Sequence, residues 1–309
     1  EMGLRTAWYG RPGPVYIDLP ADIIEAMVDE TSLIYPAPVS PPIRMAAPPE
    51  LVAEAVRTLR SAKKPLLVVG KGAAWSDAAT EVRRIVDSTN IPVLPTPMGK
   101  GVVPDDHPSI VSAARSYALK NADLIVLAGA RLNWMLHFGM APRFNPETRV
   151  IQIDLAQEEI GNNLPATVGL TGDLKAILAQ MVAQLEETPW KCDDRGAWKT
   201  GLAAEVAKKK AELKPALESD EVPMGYFRPL QEIQKVLPRD AIIVAEGAST
   251  MDISRSVLEN YQPRNRLDAG SWGTMGGATG FALASAVVHP GRRVIALMGD
   301  ASFGFSGME

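Results

Sequence analysis

From residue 49 onward, apolar positions fall into two rhythms that take turns along the chain. Leu51, Val52, Ala55, Val56 and Leu59 recur at steps of three and four behind Pro48 and Pro49. This spacing predicts a helix with one buried face and a proline in its first turn. Residues 65–70, Pro-Leu-Leu-Val-Val-Gly, are uniformly apolar and too few for a helix, so they predict a buried strand. Ser76 is placed to cap a helix whose inner face carries Ala79, Val82, Ile85 and Val86. Residues 91–94, 124–128 and 150–153 repeat the strand pattern, and Asp173 opens a helix with Leu174, Ile177, Leu178, Met181, Val182 and Leu185 on one face. Strand and helix alternating in this way predict an α/β fold, with a Rossmann-like doubly wound parallel sheet over 49–187.

The rhythm breaks over 188–222, a Lys-, Glu- and Asp-rich stretch that reads as a solvated linker or connecting helix. It resumes over 223–309 with a helix at 230–237, a strand at 241–245 and a helix at 250–260. Ser249-Thr-Met-Asp252 has capping-box spacing for that last helix. A glycine-rich stretch at 270–280, a helix at 281–288 and a buried strand at 293–298 follow, which makes this the first part of a second parallel α/β domain. Residues 1–48 carry a strand-like run over 10–20 and the start of a proline-rich stretch at 35–49, where missing N–H groups disfavour helix and central strand. They read as the connection from a domain upstream.

Composition narrows the function classes. A net charge of −4 over 309 residues supports neither nucleic-acid binding nor a membrane-surface role, and the apolar stretch 281–288 is far too short to span a bilayer. Cys192 is the single cysteine, and His107, His137 and His289 lie far apart, so a disulfide framework, a thiolate cluster and a structural zinc are not expected. The chain reads as soluble and intracellular.

Candidate chemistry lies at strand ends, where open α/β sheets bind ligands. Gly70-Lys-Gly-Ala-Ala-Trp75 follows a strand, but Trp75 replaces the third glycine of the dinucleotide fingerprint, and Leu94-Pro95 ends the next strand where a ribose-binding acid is expected. Lys71, Arg131 and Asp154 end three strands and suit an adenine nucleotide; equally, Arg131 and Asp154 could pair with each other or with loops. The glycines of 270–280 allow close backbone approach to a bulky ligand, with Trp272 and Met275 as apolar walls. Asp300, after an apolar strand and before Ala301 and Ser302, suits a hard cation bridging to phosphate.

Together these stretches resemble the thiamine-diphosphate-dependent 2-hydroxyacyl-CoA lyase and oxalyl-CoA decarboxylase family over essentially the whole chain. The most specific are Gly70-Lys-Gly-Ala-Ala74, Leu94-Pro-Thr-Pro-Met-Gly-Lys-Gly-Val-Val-Pro104, Gly129-Ala-Arg-Leu-Asn-Trp134, Glu246-Gly-Ala-Ser-Thr-Met-Asp252, Arg266-Leu-Asp-Ala-Gly270 and Gly304-Phe-Ser-Gly-Met-Glu309. Thr250-Met-Asp-Ile-Ser-Arg255, Asn260-Tyr261 and the Pro-Thr-Pro-Met run resemble the lyase side more.

The resemblance implies a central Rossmann-like nucleotide-binding domain over 49–187 and part of a diphosphate-binding domain over 223–309. It implies thiamine diphosphate, Mg²⁺ and an ADP-like nucleotide as ligands. Asp300 matches the first Mg²⁺ ligand, and Gly299, Ala301 and Ser302 match the diphosphate site, although Ala301 departs from the usual Gly-Asp-Gly or Gly-Asp-Ser. Met275 matches the residue that props the bent cofactor, and Gly273 and Thr274 its aminopyrimidine contacts; Ala248, Ser249, Thr250 and Tyr226 match the pocket lining. Arg11, Lys71, Arg131, Asp154 and Leu174 match nucleotide positions, and Arg115 and Arg255 match contacts to an acyl-CoA substrate; on periodicity alone Leu174 is plain core.

The implied reaction cleaves the C1–C2 bond of a 2-hydroxyacyl-CoA to formyl-CoA and an aldehyde. Oxalyl-CoA decarboxylation and a non-catalytic nucleotide or CoA module are the alternatives. The resemblance further implies a homodimer or homotetramer, no nucleic-acid or membrane partner, and a peroxisomal or cytoplasmic location. An activating Glu and a metal-binding Asn are expected outside these residues, so the chain by itself is expected to be inactive.

Overall fold

The computed structural model describes residues 1–193 and 197–308; the side chain of Ala248 and Glu309, the last residue of the Gly304–Glu309 match, lie outside the described ones. The chain divides into two compact units, Glu1–Met45 and Ala46–Glu309. The first contains helices α1 (Met2–Trp8) and α2 (Ala21–Ile24), with Arg5 stacked 4.8 Å from the Tyr9 ring. The strand-like run at 10–20 pairs with no strand among the described residues, because its prolines and Gly10 (φ +64°) prevent a ladder. Arg11 belongs to this unit.

The second unit is built on two parallel sheets. Strands β1 (Pro65–Val69), β2 (Val93–Pro95), β3 (Leu124–Ala128), β4 (Arg149–Asp154) and β5 (Val168–Thr171) form the first, in the order 2-1-3-4-5. Its faces bury alternate residues. Leu67, Val69, Val126 and Ile153 pack with helices α3 (Pro49–Ser61), α5 (Ala79–Thr89) and α7 (Leu174–Glu187). Leu66, Val68, Ile125 and Leu127 face the other cluster, with α6 (Arg115–Asn121) and Trp198 of α8 (Trp198–Leu217). Burial on both faces is why these strands read as continuous apolar runs.

Several local expectations are corrected. Ser76 does not cap α5, which starts behind Ala78; residues 71–75 form a short helix α4 (Lys71–Trp75), and the Ser76 N–H closes it on Gly72 O. Strand β5 was not expected, because Val168-Gly-Leu-Thr is short and half polar. The 188–222 stretch contains the 20-residue helix α8, whose Trp198 indole donates to Pro65 O at 3.0 Å, so its start is core rather than solvated surface.

The second sheet has the order 7-6-8: β6 (Ile242–Ala245) lies between β7 (Arg266–Asp268) and β8 (Val294–Leu297). Helix α9 (Phe227–Val236) and helix α10 (Ala248–Val257) cover one face; α11 (Gly277–Val288) covers the other. Helix α12 (Asp300–Ser306) follows β8. The expected burial of β8 does not hold: among the described residues it is an edge strand and is partly exposed. Ser249 is not a cap either, since α10 starts at Ala248 behind Gly247.

Candidate functional site

Three strand ends of the second sheet converge. Strand β6 runs into Glu246 and Gly247, and β8 runs into Met298 and Gly299, from which α10 and α12 depart. These two turns lie near each other, and of the two only Gly247 is tightly neighboured. A Cβ on Gly247 would lie 3.1 Å from Ser302 Oγ, and one on Gly299 would lie 3.8 Å from Thr250 Oγ1. Gly247 also has φ +74°, which a side chain would strain. The starts of α10 and α12 are thus neighbours through Ser302 Oγ and Thr250 Oγ1, and the unpaired first-turn amides of α10 are donors suited to phosphate. Ser302 is buried, whereas Ser249 and the Asp300 carboxylate are exposed.

The third segment, after β7, is the glycine-rich loop. Asp268 Oδ1 accepts from Gly270 N–H at 2.8 Å, and the Trp134 indole of the first sheet's domain donates to Ser271 O at 2.9 Å. Gly273 (φ +61°) and Gly276 (φ +91°) bend the chain around Thr274 and Met275. Met275 is half-exposed and Trp272 is 88% exposed, so these apolar side chains present a surface rather than core. Helix α11 begins four residues before the expected 281 because Glu246 supplies its cap from elsewhere: its carboxylate accepts from Gly276 N–H at 2.7 Å and Ala278 N–H at 2.5 Å. Sequence reasoning did not single out Glu246. The available signal was an acid directly behind a buried strand. Tyr226 stands exposed at the N-cap of α9, and no described contact joins it to these loops.

A buried ionic seam lies beneath the loop. Lys100 Nζ is 3.0 Å from Asp105 and donates to Arg255 O at 2.8 Å, while Asn260 N–H donates to Asp105 at 2.7 Å. Arg266, on β7, is fully buried; burial outweighs the nearby Asp268 and lowers its pKa to about 10. Burial likewise raises the Asp268 carboxyl above its ordinary range.

In the first sheet the switch point between β1 and β3 is filled by backbone. A Cβ on Gly70 would lie 2.0 Å from Gly129 O, so these glycines serve strand packing rather than a pyrophosphate. Lys71 lies over the Trp75 ring at 5.4 Å. Arg131 is 3.4 Å from Glu159, and Asp154 accepts from Ala156 N–H at 3.0 Å, so both are engaged with the loop that follows β4. Leu174 is buried in the core at the start of α7.

Arg115 and Arg255, distant in sequence, do come together. Burial lowers the Arg115 pKa, and the positive charges of Arg255 and Arg143 lower it further against Asp252. The Arg115 guanidinium donates to Met135 O, and Arg255 is 3.2 Å from Asp252. Arg143 and His137 join this basic cluster, and sequence reasoning missed both. Among the described residues no group of three His, Cys, Asp or Glu side chains is placed to hold a metal, and no helix is long and apolar enough to cross a membrane. A cation at Asp300 would need phosphate oxygens to complete its shell.

Residues 52–181 match the central domain of thiamine pyrophosphate enzymes, and residues 245–309 match their C-terminal TPP binding domain. The chain is 49% identical to 2-hydroxyacyl-CoA lyase 1 of Mus musculus and 47% identical to that of Homo sapiens, in each case over 100% of this chain and 54% of the relative. It is 38% identical to oxalyl-CoA decarboxylase of Escherichia coli K12, over 99% of this chain and 54% of the relative. The chain thus spans about half the length of the curated relatives it matches. Gly247, whose φ of +74° and 3.1 Å neighbour disfavour a Cβ, and the unpaired amides that open α10 fit a diphosphate group. With both domains matched in order along it, the chain belongs to the thiamine pyrophosphate enzymes.

Proposed function

We propose that the whole protein uses thiamine diphosphate and Mg²⁺ to cleave the C1–C2 bond of a 2-hydroxyacyl-CoA. One aldehyde and one formyl-CoA form: the hydroxyl proton leaves as the aldehyde carbonyl forms, and the thioester carbon takes up a proton. The cofactor supplies the electron sink that this cleavage needs. The chain's own residues hold and orient. The α10 amides at Ala248, Ser249 and Thr250, with Gly299, Ala301 and Ser302, receive the diphosphate, and Asp300 binds the cation. Gly273, Thr274 and Met275 set the aminopyrimidine end, Tyr226 extends the lining, and apolar Met275 and Trp272 exclude water. Arg115 and Arg255 bind a phosphate of CoA, where clustered guanidinium groups favour an anion.

The observation that carries this reading is the proximity of the starts of α10 and α12, where Gly247 lies beside Ser302 Oγ and Gly299 beside Thr250 Oγ1. The greater identity to the two mammalian lyases than to the Escherichia coli decarboxylase supports the substrate. Decarboxylation of oxalyl-CoA is the second reading, supported by the 38% relative. Incubating the full-length protein with thiamine diphosphate, Mg²⁺ and each thioester separates them. Formyl-CoA plus aldehyde, lost in Asp300→Asn, supports the lyase; CO₂ from oxalyl-CoA alone overturns it.

An ADP-like nucleotide over the ends of β3 and β4, held by Arg131 and Asp154 with Lys71, extends the proposal. Its support is the resemblance together with the exposure of Arg131 at a strand end. Calorimetry with ADP tests it: binding abolished by Arg131→Ala supports the site, and no heat refutes it. The resemblance also supports a homodimer or homotetramer, measurable by light scattering.

A further inference from the structure

We infer that Glu246 is a positioning residue for the cofactor: its carboxylate fixes the loop that carries Met275. This inference rests on the proposal that thiamine diphosphate binds there. Glu246 is only 2% exposed, yet it sits at the end of β6 with both oxygens engaged by main chain across 30 and 32 residues of sequence. Its partners are Gly276, immediately after Met275, and Ala278, in the first turn of α11. Those are two of the amides that a helix leaves unpaired at its start. Gly276 has φ +91°, a conformation that local preference alone does not fix, because glycine explores both signs of φ freely. A carboxylate held by two N–H groups at a helix N-terminus is charge-assisted and aligned with the helix dipole.

The same residue precedes Gly247, whose turn faces Ser302, and its own N–H donates to Leu297 O at 3.1 Å. On the far side, the Thr279 and Ser306 hydroxyls lie 3.0 Å apart, tying α11 to α12. Glu246 therefore joins the start of α10 to the apolar wall. If that link is cut, the Met275 loop samples many conformations, and binding must order it each time. Glu246 makes no contact with reacting atoms in this role; it acts through Gly276.

The test compares Glu246→Gln and Glu246→Asp with the unaltered full-length protein. Amide hydrogen exchange over 273–279, calorimetric affinity for thiamine diphosphate with Mg²⁺, thermal melting and steady-state kinetics are measured on each. In Glu246→Gln the side-chain NH₂ faces a backbone N–H, so one clamp is lost. Exchange over 276–278 is expected to accelerate, affinity to fall at least tenfold, and the apparent KM for the cofactor to rise while kcat recovers at saturation. Glu246→Asp, one methylene short, should recover part of the affinity. A purely structural role would lower melting without this KM-against-kcat split. A folded Glu246→Gln protein that binds cofactor within twofold of wild type overturns the inference. If that variant does not fold, Glu246→Ala, which removes the carboxylate, decides by the same criteria: affinity within twofold of wild type overturns, and a fall that Glu246→Asp partly restores supports. Failure of the unaltered protein to bind thiamine diphosphate sinks the underlying reading instead.

Discussion

Replacing Lys100 by Met tests the buried seam between the two sheets. Both partners are nearly sealed from water, with side chains 9% and 5% exposed for Lys100 and Asp105. Lys100 Nζ lies 3.0 Å from Asp105 and also donates to Arg255 O, whereas Asp105 Oδ1 has no partner among the described residues. Removing the ammonium leaves a buried carboxylate with only the Asn260 N–H at 2.7 Å. Breaking a buried pair from one side costs about 3–5 kcal/mol, because the remaining charge is desolvated and uncompensated. With a urea slope of about 3 kcal/mol/M, the midpoint should fall by about 1–2 M.

The loss should depend on pH. Burial already raises the Asp105 pKa, and the Lys100 charge is the largest influence opposing it. In Lys100→Met the folded-state pKa rises further, so the folded protein holds a proton that the unfolded chain has released. Stability from this group is then fully present below the unfolded carboxyl pKa and declines as pH rises through the folded one. The deficit relative to wild type should be small near pH 4 and large at pH 8. Adding Asp105→Asn, which keeps an acceptor for Asn260 N–H, should recover most of the loss. Urea denaturation of both variants across this range is the assay. A loss under about 1 kcal/mol at pH 8, a deficit independent of pH, or a double variant no better than the single refutes the reasoning.

Gly70→Ala places a Cβ 2.0 Å from Gly129 O and 2.6 Å from Ala130 Cα, both backbone atoms. A loss of about 3 kcal/mol in denaturant is expected, at the upper end for overpacking, and a neutral variant contradicts it. Leu174→Ala should cost about 2–5 kcal/mol by cavity formation, yet change ADP affinity less than Arg131→Ala does; calorimetry and melting separate the two effects. The Tyr261 pKa is pushed up to about 12 by burial, then by its 2.6 Å hydrogen bond to Glu259. Its phenolate absorbance should appear about two pH units later than that of an exposed tyrosine and vanish in Tyr261→Phe.

Much of the first sheet was legible from the apolar rhythm, because its strands are covered on both faces and its helices bury a clean stripe. The Asp173 cap was legible too: its side chain accepts from Ala176 N–H at 3.0 Å. Strand β7 was not legible from that rhythm, since Arg266-Leu-Asp268 is polar in two of three positions, and its buried Arg266 finds its partners in α10, at Met251 O and Ser254 Oγ. The start of α11 was misread for a related reason. Glycines 276 and 277 are poor helix formers by local preference, and the carboxylate that stabilises the start lies 30 residues earlier.

By itself the sequence determined the α/β class and which residue types could meet phosphate and a cation, because periodicity and glycine content act locally. Only the tertiary structure decided which glycines border a helix start and which pack against a neighbouring strand. Gly70 packs on Gly129, whereas Gly247 lies beside Ser302. That distinction depends on what lies across the gap, and close approach between distant segments leaves no periodic trace in the chain. The same holds for Glu246, Arg115 and Arg255, whose partners are set by how the strand ends and loops converge.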